Sequence, residues 1–429
     1  METLLEFLSL RDPNLRYVVL GSVLLTASSA VVGTFTFLQK KSLVGDAVAH
    51  AVLPGVCMAF LWAETKNPFL LIIGAFITGW LSLILIDGIT RYSKLKEDTA
   101  IGLVLSVFFG VGILLLTYIQ QNGNAAQSGL DSFLFGKAAA LMPQDVQAFG
   151  ILAVVLLLTV ALLYKEFKIL AFDKAYAKIL GLPVRTLQLT LTTLTVLAVV
   201  VGIQAVGVVL MAAMLITPAA AARFWTDRLP VMLVLATIFG VSSGLAGAYV
   251  SYTAVSMPTG PWIVVVISSI AAISFFFAPK KGIAFRLYRQ MNNRRMILEE
   301  NILKTFYNLG EKDGNFRHHW SREALLHQRH FLPSRLSSGL RRLTRQGFLK
   351  KNAGEWELTQ AGYRKGKRTV RLHRLWELYL TQYLRIAPDH VHEDAETIEH
   401  LITPELERRL EEKLDFPTLD PHQSQIPNR

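Results

Sequence analysis

A succession of long apolar segments, which fills residues 1 to about 279, most constrains the fold of this chain. Each segment approaches the roughly 20 residues that a helix needs to cross a bilayer. Helices satisfy their own backbone hydrogen bonds in lipid, so the segments predict an all-α polytopic membrane domain. The candidate spans lie at about 16–38, 44–63, 68–90, 99–120, 146–164, 187–222, 229–252 and 261–278.

The window 187–222 leaves the number of spans open, because it runs for 36 residues without a charge. It holds either two short spans joined near Gly202–Gly207, or one span and a re-entrant segment. We therefore predict eight or nine spans. Gly207 and Thr217–Pro218 are interpreted as helix breaks, whose freed backbone carbonyls can line a cavity.

Basic residues orient the spans, since joints that are rich in Lys and Arg stay in the cytoplasm. Joint 120–128 has no basic residue and is placed outside. A hairpin within 187–222 puts the N-terminus outside and makes every basic joint consistent. The C-terminus is then cytoplasmic. The basic joints are 39–41, 91–96, 165–178 and 280–295.

An aspartate and a histidine stand together at the start of the second apolar segment. Asp46 and His50 are four positions apart, so on a helix they share one face. Ionisable groups in apolar segments mark ion or substrate paths, and a carboxylate beside an imidazole suits a borderline divalent metal. Two ligands are too few for a metal shell, which favours a site between two chains. The alternative is that the two side chains only bond each other or nearby backbone. The single Cys57 excludes a cysteine cage.

Residues 280–429 have the composition of a soluble region and carry nine of the ten histidines. Their first part, 280–295, is a basic cytoplasmic connector. Residues 296–365 combine short helices with a small hairpin, which is typical of a winged helix. Residues 366–415 predict a helical domain, and the tail 416–429 is expected to be flexible.

The winged-helix region presents a candidate recognition helix that enters a wing. Residues 280–374 contain 23 Lys or Arg against 7 Asp or Glu. Such an excess suits phosphate backbones, and it suits anionic lipid headgroups beside a membrane equally well. The candidate DNA-binding residues are Ser334, Arg335, Ser337, Ser338, Arg341 and Arg342.

Four motifs of the membrane region occur in a characteristic order. They are 44–55 with Asp46 and His50, 172–183, 207–220 and 258–261. Together they resemble the permease subunits of ABC importers for manganese, zinc and iron. The resemblance implies a type II ABC importer-like fold, with Asp46 and His50 holding metal in the path. It also implies that a short helix docks on the ATPase through Asp173, Ala177, Gly181, Leu182 and Pro183.

The same resemblance implies the partners and the substrate. The permease would pair with itself or with a sister permease in the inner membrane of a bacterial cell. It would receive Mn, Zn or Fe(II) from an external metal-binding protein. A separate cytoplasmic ATPase would drive it, since this chain has no Gly-x-x-x-x-Gly-Lys-Ser/Thr phosphate loop. The chain itself is then a transport subunit rather than an enzyme, and no organic cofactor is expected.

The final stretch resembles the metal-dependent repressors of the diphtheria toxin repressor and manganese regulator group. The resemblance is carried by the segments 370–377, 391–400, 403–410, 415–418 and 420–422. It implies two sets of metal ligands, and within each set the helical spacings place ligands on one face. One set is His373, Glu377 and His392, and the other is Glu396, Glu399 and His400.

The chain departs from the repressors in its first helix of the soluble region. Asn301 and Lys304 stand where the repressors supply further ligands. An ammonium repels a dication, so one sensor site is incomplete or altered. The alternative is that the acidic and histidine residues form a solvated helix face with salt bridges.

Three functions remain open for the C-terminal region. It senses cytoplasmic metal and regulates transport, it acts as a membrane-tethered metal-dependent regulator that binds nucleic acid, or it is a metal-free interaction module. We favour regulation of transport, because a membrane anchor restricts the search for an operator and repressors need paired half-sites. The membrane motifs predict transport under all three.

Overall fold

The computed structural model describes residues 2–64, 68–121, 136, 141–253, 257–279, 281–384 and 404–428. It divides the chain into two compact units, Met1–Arg286 and Leu287–Arg429.

The first unit is a bundle of helices. Its described helices are α1 (Glu2–Ser9), α2 (Pro13–Leu38), α3 (Val44–Ala63), α4 (Pro68–Tyr92), α5 (Glu97–Gln121), α6 (Pro143–Leu162), α7 (Tyr164–Phe172), α8 (Lys174–Ile179), α9 (Val184–Val206), α10 (Val208–Trp225), α11 (Leu229–Thr253) and α12 (Thr259–Phe277). Eight of them are long and apolar enough to cross a membrane: α2, α3, α4, α5, α6, α9, α11 and α12. A polytopic all-α fold is therefore confirmed.

The long uncharged window contains two helices rather than one. Gly207 separates α9 from α10 with φ of 90°, a conformation that side chains with a Cβ rarely adopt. The predicted break at Gly207 is confirmed. The predicted break at Thr217–Pro218 is wrong, because α10 continues through Pro218 to Trp225. Helices α2, α3, α11 and α12 pack on α10.

Helix α3 occupies the interior of this unit and packs against α4 and α5. Gly55 and Gly74 bring the backbones of α3 and α4 together. A Cβ on Gly55 would lie 2.1 Å from the Gly74 carbonyl oxygen, and one on Gly74 would lie 2.4 Å from that of Gly55. Such close crossings of small residues are a common way to join helices in lipid. They fix α3, which carries Asp46 and His50.

Most of the long helix α13 lies in the second unit, and its first residues belong to the first. The elements of the second unit are α13 (Ile283–Asp313), α14 (Arg322–Gln328), α15 (Pro333–Arg345), β1 (Leu349–Asn352), β2 (Glu355–Leu358), α16 (Gln360–Leu384) and α17 (Pro404–Lys413). The strands form an antiparallel hairpin in which Leu349 pairs with Leu358. Its turn places Ala353 and Gly354 at positive φ, as two-residue hairpin turns require.

Leucines and aromatic residues from α13, α14, α15 and the hairpin share one core. This is the winged-helix arrangement expected from the sequence. Helix α13 starts at Ile283, within the segment that we expected to be only a connector, because no Pro or Gly interrupts the chain between 283 and 309.

The C-terminal tail, expected to be flexible, instead folds back on the unit. Ile426 is 8% exposed and joins a core with Leu375, Leu378 and Leu410. The Asp420 carboxylate accepts hydrogen bonds from the backbone N–H groups of His422 and Ser424, both at 2.8 Å. An apolar anchor and a closed turn therefore stabilise a segment whose composition predicted a loose end.

Candidate metal-translocation site

Asp46 and His50 lie on one side of α3, as their spacing predicts. His50 Nε2 is 3.5 Å from Asp46 Oδ1, and the side chains are 18% and 42% exposed, respectively. This separation is longer than a good hydrogen bond. Two ligands that each bind zinc at about 2.0–2.1 Å with a tetrahedral angle lie about 3.3 Å apart. The observed separation of 3.5 Å is close to that distance.

The imidazole of His50 is held by a neighbouring helix. Its ring meets that of Phe109 on α5 edge to face, with centroids 4.9 Å apart and planes at 85°. Within the described residues, Nδ1 of His50 is buried and has no hydrogen-bond partner. The ring orientation thus comes from packing, with Nε2 on the side of Asp46.

The helix end also suits a carboxylate. Asp46 occupies the first turn of α3, where the helix dipole favours negative charge. In the part of the chain that the structure describes, no three His, Cys, Asp or Glu side chains cluster closely enough to hold a metal. The Asp46–His50 pair thus offers two of the four or six ligands that divalent transition metals take.

The segment expected to dock on the ATPase forms the short helix α8. The Asp173 carboxylate caps it by accepting from Tyr176 N at 2.9 Å. At its end, Gly181 has φ of 74°, and Leu182 N donates to Ala177 O at 3.1 Å. This is a Schellman closure, after which Pro183 stops the helix. The fully buried Ala177 anchors it.

The predicted residues of this segment therefore shape α8, and Asp173, Gly181 and Pro183 are also exposed. Beside the exposed Lys174 and Lys178, the surface carries apolar residues that sequence reasoning missed. The signal was present as apolar residues at helical spacing within a charged joint. We call these apolar residues the coupling patch. They are Phe172, Tyr176, Ile179 and Leu180, which are 56%, 51%, 81% and 50% exposed.

The second unit brings together two of the predicted sensor ligands. His373 Nε2 lies 3.0 Å from Glu377 Oε1, and both side chains are buried on α16. An imidazole and a carboxylate fit a borderline divalent ion. The other predicted ligands lie outside the described residues; they are His392, Glu396, Glu399 and His400.

Asn301 and Lys304 are both on α13. Lys304 is 4% exposed, and Asn301 Oδ1 is buried without a hydrogen-bond partner among the described residues. A buried ammonium at this position opposes a nearby dication. The departure from the repressors is thus a feature of the interior of this unit.

The candidate DNA-binding residues on α15 differ in accessibility. Ser334, Arg335 and Arg341 are exposed. Arg342 instead turns inward, and its Nε donates to Glu299 Oε1 at 2.9 Å. The hydroxyls of Ser337 and Ser338 bond carbonyl oxygens of their own helix. Arg335 and Arg341 therefore remain the basic groups of this set that are available to a phosphate.

Arg374, which sequence reasoning missed, joins three parts of the second unit. Its guanidinium donates to Glu311 at 3.0 and 2.6 Å and to the Gln425 carbonyl oxygen at 2.5 Å. Asp420 lies 3.5 Å away. Burial alone would lower the pKa of Arg374, but the hydrogen bond and charge of Glu311 outweigh it and raise that pKa. The residue beside His373 thereby holds the folded tail.

The eight long apolar helices define a polytopic membrane protein. Residues 11–278 match the ABC 3 transport family, and the chain belongs to that family. Residues 359–428 match the metal binding and dimerisation domain of iron dependent repressors. Both resemblances drawn from the motifs are confirmed: this is a permease of the family with a repressor-like C-terminal domain.

Relatives and one solved structure extend this result. The manganese transport system membrane protein MntC of Bacillus subtilis (strain 168) is 44% identical over 382 residues, which are 89% of this chain and 87% of that protein. The zinc transport system membrane protein TroC of Treponema pallidum (strain Nichols) is 42% identical over 289 residues, 67% of this chain and 96% of that protein. PsaBC from Streptococcus pneumoniae, solved in complex with Fab, gives a TM-score of 0.58 at 33% identity, covering 65% of this chain and 97% of that chain.

Proposed function

We propose that this chain is the permease subunit of an ATP-driven importer of a divalent transition metal in a bacterial inner membrane. The metals are manganese, zinc or iron(II), because imidazole and carboxylate ligands suit all three. Relatives named for manganese and zinc transport support the substrate class. The observation that carries the proposal is the Asp46–His50 pair, with Nε2 and Oδ1 3.5 Å apart.

The metal path lies between two permease chains. Each chain provides Asp46 and His50, and a partner related by an approximate two-fold axis would complete a set of four ligands. The partially exposed Asp46 supports this arrangement, because a ligand meant for a shared site must be accessible from outside its own chain. The partner is a second copy or a sister permease.

A separate ATPase drives the transport and binds the coupling patch. Apolar side chains such as Ile179, 81% exposed, seldom cluster on a cytoplasmic surface without a partner. An external metal-binding protein delivers the ion on the opposite side. The lack of a phosphate loop in this chain supports a separate ATPase.

The C-terminal domain senses cytoplasmic metal and adjusts transport. His373 and Glu377 hold the ion together with ligands from the segment that contains His392. The buried pair, with Nε2 and Oε1 3.0 Å apart, supports this role, because an imidazole and a carboxylate on one side of a helix are ligands that suit a borderline divalent ion. A second candidate is nucleic-acid binding through α15, which the exposed Arg335 and Arg341 favour.

The test of transport is uptake of each metal into vesicles that contain the full complex. Asp46→Ala and His50→Ala should abolish uptake while the complex still assembles. Asp98→Ala is the matched control, since Asp98 is an exposed aspartate in the first turn of another spanning helix, α5. Uptake at the normal rate in either pair variant would contradict the proposal.

The test of sensing is the same uptake with metal added on the cytoplasmic side. Internal metal should slow the complex, and His373→Ala should remove that inhibition without changing the uninhibited rate. Identical inhibition in the parent and the variant would exclude sensing at this site. A metal-dependent, sequence-specific mobility shift of duplex DNA would instead support the second candidate.

A further inference from the structure

The first part of α13, residues 283–296, has two contrasting sides. We call it the connector helix. Phe285, Tyr288 and Met291 follow one another at i, i+3 and i+6, so they lie within one half of the helix. They are 42%, 69% and 54% exposed. The helix therefore presents an uncovered apolar side to its surroundings.

The opposite half of the connector helix carries most of its charge. Arg286, Arg289 and Arg294 lie there together with the exposed Leu287, whereas Arg295 lies on the apolar side. Residues 280–298 hold six basic groups and no acidic one. Among the described residues, none of these three arginines makes an ion pair. Their charges are therefore available to an anionic partner.

The connector helix also starts at a fixed place. Just before it, Lys281 pairs with Asp227 and donates to the Arg223 carbonyl oxygen at 3.2 Å, at the joint between α10 and α11. Phe277 ends the last candidate span. The five residues between Phe277 and Ile283 reach at most about 18 Å. The helix must therefore begin within reach of the headgroup layer.

We propose that the connector helix binds the anionic headgroups of the adjacent membrane leaflet. Phe285, Tyr288 and Met291 enter the boundary between headgroups and acyl chains, and the arginines bind lipid phosphates. An amphipathic helix with one apolar and one basic side binds membranes in this way, and juxtamembrane arginines favour anionic lipids. Nucleic acid is a poorer occupant, because its interfaces are polar and leave no place for the apolar side.

The experiment uses the full chain in a Cys57→Ala background, reconstituted in vesicles without ATPase. A fluorophore is attached at Met291→Cys on the apolar side or at Asn293→Cys on the polar side. The vesicles contain phosphatidylcholine alone or mixed with phosphatidylglycerol, and lipids with a nitroxide near the headgroup serve as quencher. Quenching at 291 should exceed quenching at 293 several-fold in the mixed vesicles.

Removing the charge gives the second arm. The variant Arg286→Gln/Arg289→Gln/Arg294→Gln should lose most of the extra quenching at 291 that phosphatidylglycerol produces. Arg335→Gln/Arg341→Gln, on the exposed surface of α15, should retain it. Equal quenching at 291 and 293 would overturn the proposal. The proposal would also be overturned if quenching at 291 exceeded quenching at 293 only after ATPase or duplex DNA is added. Neither result depends on which metal is carried or on Asp46 and His50.

Discussion

His50 of α3 and Phe109 of α5 meet edge to face, with ring centroids 4.9 Å apart. A proposed ligand of the metal path is thus oriented by an apolar ring from another helix. We therefore expect geometry at the path to depend on α5 as well as on α3.

Phe109→Ala should lower metal uptake while retaining both proposed ligands. Loss of an edge-to-face contact worth about 0.5–1.5 kcal/mol frees the imidazole and reduces the population with Nε2 toward Asp46. The expected result is a several-fold rise in the apparent KM for metal, measured in vesicles. Val107→Ala, an exposed position of the same helix, is the control. An unchanged KM in Phe109→Ala would show that the ring does not position His50.

The crossing of Gly55 and Gly74 predicts a strong steric effect. A Cβ at Gly55 would meet the Gly74 carbonyl oxygen at 2.1 Å, so Gly55→Ala must separate α3 from α4. Overpacking of this kind costs about 1–3 kcal/mol. Thermal unfolding in detergent should show a lower Tm. Gly102→Ala on α5 is matched, because no atom lies within 4 Å of its Cβ position. Equal Tm values for the two variants would contradict the close approach.

The sequence predicted the spans well because a bilayer requires length and apolarity, which can be read residue by residue. It also predicted the helix break at Gly207, because glycine adopts a positive φ without strain and this is a local property of the chain. It failed at Pro218, where the effect of a proline depends on the helices around it. The contact of His50 with Phe109 is equally invisible in sequence, because the two residues are distant along the chain and packing alone joins them.

In the second unit, the recognition helix and the hairpin could be predicted from amphipathic spacing and turn residues. The inward turn of Arg342 toward Glu299 could not, because charge excess alone does not tell which arginines are already paired. The contacts of Arg374 with Glu311 and the tail, which we call the Arg374 clasp, were missed for the same reason. A tail rich in proline and polar residues carries little local signal of where it docks.

The coupling patch predicts a specific effect on ATPase binding. Ile179→Ser should weaken association with the ATPase subunit about tenfold or more, because burial of such a side chain contributes about 1.5–3 kcal/mol. Pull-down of the ATPase against its concentration measures the change. Leu332→Ser, at an exposed leucine of the second unit, should leave association unchanged. If both variants bind the ATPase like the parent, α8 is not the docking element.

The clasp of Arg374 predicts a loss of stability. Arg374→Ala leaves Glu311 and Asp420 without their shared cation. Because Glu311 is 37% exposed, the loss is smaller than the roughly 3–5 kcal/mol that breaking a fully buried pair costs. Faster proteolysis of the tail beyond Lys413, relative to the parent, is the expected observation. Arg408→Ala removes an exposed arginine of the same unit and should have little effect. Equal proteolysis of the parent and Arg374→Ala would rule out the clasp as the anchor of the tail.

Tyr307, which stacks with Tyr363 at 5.7 Å, predicts a response to high pH. Desolvation, with Tyr363 and Glu311 nearby, raises the pKa of Tyr307 to about 12 from the model-peptide value of 10.0. The folded state thus retains a proton that the unfolded state loses above pH 10. The stability from neutral Tyr307 is fully present below pH 10 and declines between about pH 10 and 12. Tyr307→Phe should flatten this decline in Tm across that window. A decline of Tm with equal slope in Tyr307→Phe would assign the pH response to other groups. Tyr288→Phe, at an exposed tyrosine of the same helix, is the matched control.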